Sequence, residues 1–329
     1  MGIERMFLGT PMGLSPVVTF DDETGDKPPC YVLSVSGGSR MAGRIRFGIC
    51  TDQNMPWELT VERWRLFEDL GFDSLWDCDH YVQPSRPTGP YHEGWTLLAG
   101  LAAVTSKARI GVLVSCNTFR HPALVAKMAT TIDHISGGRV DVGLGAGWYV
   151  PEHTMYGIEF PSPPELVSRF REAVEIVDSL LRNEVTTYKG QHYQLQEALF
   201  RPQPIQRPRP PLTLGAHGPR MMRIVAQYAD AWNSFGTVEE MRQRNDVLNE
   251  QCAAIGRDPS EIWRGLYGWA AMMPSDPWQS LDAFADMVGR YREAGVNEFI
   301  IDQPAAEQLP MAERVSTELL PKLRAEAGP

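Results

Sequence analysis

The sequence predicts an α/β protein folded as a (β/α)8 TIM barrel with an insertion region after the fourth strand. Three observations lead there. Eight short apolar segments have strand character, helical segments follow them in alternation, and the alternation runs from Ile45 to Asp302, about the 250 residues such a barrel occupies. A doubly wound open sheet would show the same alternation, but it would carry a dinucleotide fingerprint that this chain lacks.

The elements follow in order. Ile45, Phe47 and Ile49 alternate as a strand, and Val61, Trp64, Phe67 and Leu70 then recur at helical spacing up to Gly71, the residue type that ends helices. The second strand is expected over Asp73–Asp77 and its helix near Trp95–Thr105. A third strand over Ile110–Val114 precedes a helix near Ala123–His134, and the fourth strand covers Arg139–Leu144. Leu166, Phe170, Val174, Val177 and Leu181 mark a long amphipathic helix introduced by Pro163-Pro164. Val185–Pro211 breaks the rhythm. There Thr186-Thr187-Tyr188 and His192-Tyr193-Gln194-Leu195 flank Lys189-Gly190-Gln191 as a hairpin would, with proline-rich chain after them. Alternation resumes with strands at Leu212–Leu214, Ala231–Asn233, Ile262–Met272 and Phe299–Asp302. Helices are expected after Pro219, near Val238–Ile255 and over Ser280–Ala294.

Residues 1–40 are rich in Gly, Pro, Ser and Thr without sustained periodicity and are expected to form a disordered N-terminal extension; residues 41–329 are expected to form a single barrel domain. The extension has no basic start leading into an apolar stretch, so it does not read as a secretory signal. The chain of 329 residues carries 31 basic and 41 acidic side chains, a formal charge of −10, which disfavours nucleic acid as a partner. No apolar run approaches the roughly 20 residues of a membrane span. Five scattered cysteines without a CxxC pair fit reduced thiols and a cytoplasmic location.

In such barrels the chemistry sits at the C-terminal ends of the strands. Trp76-Asp77-Cys78-Asp79-His80-Tyr81 leaves the second strand with two acids and an imidazole. A metal site would need further His or carboxylate ligands at other strand ends, and those ends supply mostly Gly, Ser, Asn and apolar groups, so no metal is assigned. His80 reads as a proton donor, acceptor or cofactor contact, with a structural histidine as the alternative. Gly143-Leu144-Gly145-Ala146-Gly147-Trp148 follows the fourth strand. Its spacing is not that of a Rossmann turn, and Tyr149-Val150-Pro151 reads as a poor start for a phosphate-capping helix; either a ligand approaches the backbone there or the rim is tightly packed. Gly215-Ala216-His217-Gly218 leads into a helix whose free N–H groups suit an anion, and Ser234-Phe235-Gly236 ends the neighbouring strand; an ordinary capped helix is the alternative. Arg120, His121 and Lys127 are expected at the rim or in solvent, with an anion contact open to Arg120.

Taken together, Leu70-Gly71-Phe72-Asp73-Ser74-Leu75-Trp76, Asp79-His80, Arg109-Ile110-Gly111, Arg120-His121-Pro122-Ala123, Ser136-Gly137-Gly138-Arg139, Gly145-Ala146-Gly147-Trp148 and Gly215-Ala216-His217-Gly218 resemble the luciferase-like flavin and deazaflavin oxidoreductases. Within that family, Asp79-His80 and the hairpin residues Tyr188–Leu195 look more like the branch using coenzyme F420 than the branches using FMN. The resemblance implies hydride transfer between F420 and a small organic substrate, with His80 handling the proton. It places Asp79 and His80 over the ring, and a non-proline cis peptide at a bulge that sets Leu113 and Val114 behind it, with Cys116 and Asn117 on the same wall. Gly145 and Gly147 join this cofactor wall, and Gly215, Ala216, His217, Gly218, Ser234 and Gly236 match phosphate-binding positions. Trp76, Tyr81, Trp148 and Tyr149 are expected to make an apolar substrate pocket; Trp148 stands where sugar-phosphate dehydrogenases of this branch carry a proton-donating glutamate, which argues against a sugar phosphate. The family also implies a homodimer. The competing readings are an FMN-dependent monooxygenase fed by a partner reductase, a ligand-binding barrel without catalysis, and a metal hydrolase.

Overall fold

The computed structural model of the chain describes residues 44–328, so the expected N-terminal extension lies outside the described residues. Eight parallel strands close into a barrel: β1 (Arg46–Cys50), β2 (Ser74–Asp77), β3 (Arg109–Val112), β5 (Val140–Gly145), β8 (Leu212–Gly215), β9 (Ala231–Ser234), β10 (Trp263–Gly268) and β11 (Glu298–Asp302). A two-residue strand, β4 (Ser115–Cys116), pairs with β5 beyond the end of β3. Closure is made by β3 pairing with β5 on one side and β1 pairing with both β2 and β11 on the other. Each strand matches a sequence expectation within a few residues, except that β10 stops at Gly268 and the chain to Met272 turns into a short 3-10 helix.

The helices α1 (Trp57–Asp69), α2 (Gly94–Val104), α3 (Pro122–Ser136), α5 (Pro163–Arg182), α6 (Pro219–Tyr228), α7 (Val238–Ala254) and α8 (Leu281–Glu293) pack outside the barrel. Their starts have visible causes. Proline stands in the first turn of α3, α5 and α6, where its missing N–H is not needed, while Thr237 and Glu240 form a reciprocal capping box on α7. Their apolar stripes bury Trp64, Phe67, Phe170, Val177 and Phe284 against the outward faces of the strands, where they meet Phe47, Leu75 and Phe299. The expected hairpin is present as β6 (Val185–Lys189) and β7 (Gln194–Leu199), with Gly190 and Glu172 holding the turn: the Glu172 carboxylate accepts from the amides of Gln191, His192 and Tyr193.

A second, smaller apolar cluster lies inside the barrel, formed by Cys50, Trp76, Leu113 and Ile300. It is the floor on which the site stands. No described helix is long and apolar enough to cross a membrane.

Candidate active site

Because all barrel strands run the same way, their C-terminal residues converge on one mouth. Cys50, Gly145, Gly215, Ser234, Gly268 and Asp302, each the last residue of its strand, line a cavity of about 900 Å³ there. Between β3 and β4 the Leu113–Val114 peptide is cis, as the resemblance implies, and both residues face the cavity. The Val114 side chain explains the glycine-rich motif. A Cβ on Gly145 would stand 2.6 Å from Val114 Cγ2, one on Gly215 2.9 Å from the same atom, and one on Gly143 1.9 Å from the Val112 carbonyl. Those glycines are there to make room for the bulge, so the packing reading accounts for their residue type, although Gly145 and Gly215 still line the cavity. Gly147, at φ +97°, makes the left-handed turn that follows.

His80 lines the cavity and is held from behind. Its Nδ1 lies 2.8 Å from Glu152 Oε2, and the other oxygen of Glu152 accepts from the amides of Tyr81 and Val82, the latter at 2.9 Å. Burial opposes the charge on Glu152, but His80 and the two amides outweigh it and hold the carboxyl below its ordinary range. An ionised Glu152 fixes the His80 proton on Nδ1 and leaves Nε2 without a partner among the described residues.

Glu152 is not singled out in the sequence, where Tyr149-Val150-Pro151 is weighed only as the start of a phosphate-capping helix. Val150–Tyr156 is a short helix, α4, whose start carries no side-chain cap. Pro151 sits in its first turn, Glu152 is the acid of that turn, and Gly157 at φ +67° caps its end; all three are ordinary helix-boundary signals. The same helix presents His153, bonded through Nε2 to Thr118 Oγ1 at 2.6 Å and through Nδ1 to the Tyr149 carbonyl at 2.9 Å.

Asp79 also lines the cavity, yet its carboxylate is spent on the protein: Arg120 grips both oxygens and the Cys116 amide donates at 2.6 Å. Arg120 is therefore not the rim or solvent residue expected. Its side chain is only 9% exposed, paired with Asp79 and, at 3.0 Å, with Glu93. His121 and Lys127 do stay at the surface, His121 capping α3 and Lys127 bonded to the Arg201 carbonyl.

Across the cavity, Gly218 leads without a side-chain cap into α6, and a Cβ there would meet nothing within 4 Å. Ser234 Oγ lies 2.8 Å from His217 Nδ1 and 3.2 Å from Arg244 Nη1. Desolvation, which includes packing on Phe235 at 4.6 Å, and then the Arg244 charge push His217 down to about 4, so its ring is neutral near pH 7. Uncapped amides, a hydroxyl, a neutral imidazole and a guanidinium behind them form a donor set that fits a phosphate.

Four expected site residues stand elsewhere. Trp76 is fully buried in the floor cluster, its Nε1 bonded to Ser74 Oγ at 2.8 Å, because its ring fills the space left by Gly48 and Gly111. Tyr81 turns away from the cavity and packs between Phe119 and Tyr156 at 4.6 and 4.7 Å. Asn117 points to Tyr193 Oη at 3.4 Å, and Gly236 gives its carbonyl to Tyr291 while facing Glu240 and Arg244. Leu113, Val114, Cys116, Gly147, Ala216, Trp148 and Tyr149 do line the cavity. Sequence reading missed the wall made by the ends of β10 and β11 and the chain after them, with Tyr267, Trp269, Trp278, Asp302 and Gln303.

The luciferase-like monooxygenase family model matches residues 33–320. The chain belongs to that family. Among curated members it is 33% identical over 191 residues to the F420-dependent glucose-6-phosphate dehydrogenase of Microbacterium testaceum, covering 57% of this chain and 56% of the relative. It is 31% identical over 215 residues to the phthiodiolone/phenolphthiodiolone dimycocerosates ketoreductase of Mycobacterium tuberculosis, covering 59% and 55%. The chain thus spans just over half the length of these relatives in the matched regions. Its backbone is similar to an F420-dependent secondary alcohol dehydrogenase solved with an F420–acetone adduct, with TM-score 0.76 at 21% identity over 85% of this chain and 99% of that one. The F420-dependent tetrahydromethanopterin reductase of Methanopyrus kandleri gives 0.73 at 20% identity over 85% and 99%. Both likenesses support the family's barrel fold.

Proposed function

We propose that this chain is an F420-dependent oxidoreductase that interconverts an alcohol and a carbonyl compound. One observation carries the reading: a phosphate-fitting donor set at His217, Gly218 and Ser234 and a histidine with one open nitrogen line the same cavity, on either side of the Leu113–Val114 bulge. The F420 dependence of the glucose-6-phosphate dehydrogenases this chain resembles supports the choice of coenzyme.

F420 when bound supplies a carbon centre that accepts or donates hydride. The chain's own residues do the rest. Ser234, His217 and the amides opening α6 hold the phosphate, and Leu113 and Val114 back the ring. His80 Nε2 takes the hydroxyl proton of an alcohol as its carbon loses hydride, or returns it to a carbonyl oxygen in the reverse direction. Glu152 acts through His80: it fixes the tautomer and offsets the positive charge the imidazole gains. In this reading Asp79 is a positioning group, tying Arg120 and the Cys116 amide to the loop that carries His80.

The test is a side-by-side titration of the purified protein with F420 and FMN, followed by fluorescence. Preferential saturable F420 binding supports the proposal; preference for FMN together with oxygen consumption turns the reading to a monooxygenase, and binding of neither overturns it.

A further inference from the structure

The charge on the cavity wall is one-sided. Among the described residues no lysine or arginine lines the cavity, whereas five carboxylates do: Asp52, Asp79, Glu152, Asp276 and Asp302. The nearest guanidinium groups are committed, and the exposed Arg86 reaches Asp52 at 3.3 Å without lining the cavity itself. Arg120 is locked between Asp79 and Glu93, and Arg244 sits behind Ser234 with its Nη1 on the Phe235 carbonyl. The anion-fitting donors are confined to the β8–β9 side, which the proposed coenzyme phosphate uses. The adjoining side, at the ends of β10 and β11, offers Asp302, held by Tyr267 Oη at 2.7 Å and the Ala270 amide at 2.9 Å. A phosphorylated or carboxylated substrate would there meet the half-buried Asp302 and the exposed Asp276 with no cation on the wall to answer it, an arrangement that disfavours anions.

The mouth between the loop after β5 and the loop after β10 is aromatic. Trp148 is 56% exposed at the mouth, its ring 5.8 Å from His80 edge to face, 5.1 Å from Tyr149 and 6.1 Å from Trp269. An exposed indole touching both the proton-handling imidazole and a second indole is an apolar surface beside the reacting position.

We infer that the substrate is an uncharged alcohol or ketone bearing a ring or similarly bulky apolar group, which packs on Trp148 and Trp269 while its oxygen meets His80. This rests on the oxidoreductase reading for the reaction, but the selection by charge and by Trp148 is a property of the wall. The chemistry balances as a two-electron exchange: the carbonyl carbon gains hydride from reduced coenzyme, its oxygen gains the proton from His80, and oxidised coenzyme is left.

The experiment compares three ligands that separate the two claims: 4-phenylbutan-2-one, acetone, which lacks the ring, and phenyl phosphate, which keeps the ring and adds charge. Binding is measured by calorimetry on the full chain with F420 bound and, separately, with the anion site saturated by inorganic phosphate, so the result stands whether or not F420 binds. The ring ketone is expected to bind at least about tenfold tighter than either comparator, and Trp148→Ala to erase its advantage over acetone. With F420, kcat/KM for the two ketones should follow the same order. Phenyl phosphate binding as tightly as the ketone overturns the charge argument. Absence of ketone binding in either condition, or a Trp148→Ala effect equal on both ketones, overturns the role of the aromatic wall. Loss of F420 binding with the ligand preference intact would instead strike only the coenzyme reading.

Discussion

Both ends of the barrel hold buried or half-buried charged groups and use them differently. At the N-terminal end they pair with one another or with the backbone. Arg109 grips Asp141 through Nη2 at 2.5 Å and Nε at 3.0 Å, and Arg46 lies 2.5 Å from Glu298. Arg139 donates to the carbonyls of Ala102, Thr105 and Ala108, and Glu68 accepts from the amides of Ser106, Lys107 and Ala108. At the C-terminal end, carboxylates and histidines face a cavity, with open positions such as His80 Nε2 and the uncapped amides before α6. Buried charge alone therefore does not mark a site; charge left unanswered toward a cavity does. The contrast separates mutations that cost activity from those that cost the fold.

His80→Ala should give the largest effect. Removing a positioned proton donor and acceptor lowers turnover by about 10² to 10⁴ fold. Coenzyme affinity should stay within a few fold, because the phosphate set lies across the cavity. Steady-state kinetics beside a binding titration check this, and an unchanged kcat would end the catalytic assignment. At the other end Arg109→Met should leave Asp141 buried without its partner and destabilise the protein by about 3 to 5 kcal/mol, read as a lower denaturation midpoint. The fraction that remains folded should bind coenzyme normally. If Arg109→Met instead weakened coenzyme binding, the separation between the two ends would fail.

Glu152→Gln tests the link between first-turn helix chemistry and catalysis. Glutamine keeps one oxygen to accept from the Tyr81 and Val82 amides, so the fold should hold, while its amide nitrogen turns a donor toward His80 Nδ1 and favours the other imidazole tautomer. What it lacks is the charge that supports a protonated His80, and kcat should fall about tenfold. The decisive measurement is the double variant with His80→Ala. If Glu152 acts only through His80, the pair should be no slower than His80→Ala alone; additive losses would give Glu152 a separate role.

What was legible in the sequence divides along the same line. The strands and helices announce themselves through periodicity and boundary residues, so the order β1 to β11 around the barrel could be read almost intact. His80, Gly218 and Ser234 were readable because their local motifs fall at strand ends. Side-chain direction was not. Trp76 and Tyr81 flank the cavity in sequence but point to the floor and to Phe119; a strand sends alternate residues to opposite faces, and nothing local marks which face either side chain takes. Arg120 and Glu152 were hidden because their partners, Asp79 and His80, are 41 and 72 residues away. The wall after β10 was hidden because Trp269 and Asp302 carry no local motif and become a surface only when the barrel closes through β1 and β11.

The smallest expected effect concerns His217, where proton and ligand binding are linked. In the free protein its imidazole titrates near about 4, below the ordinary value of 6.5, because of desolvation and Arg244. A phosphate placed against Ser234 and the amides before α6 adds negative charge beside the ring and must raise that value in the complex. The complex then holds more protons than the free protein as pH falls from 7 to 5, so coenzyme affinity should strengthen over that interval. A phosphodiester does not titrate there, which leaves His217 as the group responsible at this end of the cavity. His217→Gln should bind more weakly at pH 5 and lose most of the pH dependence while changing little at pH 8. Affinity that weakens from pH 7 to 5, or a slope unchanged in His217→Gln, would place the phosphate away from this histidine and move the anion site toward Gly218 alone.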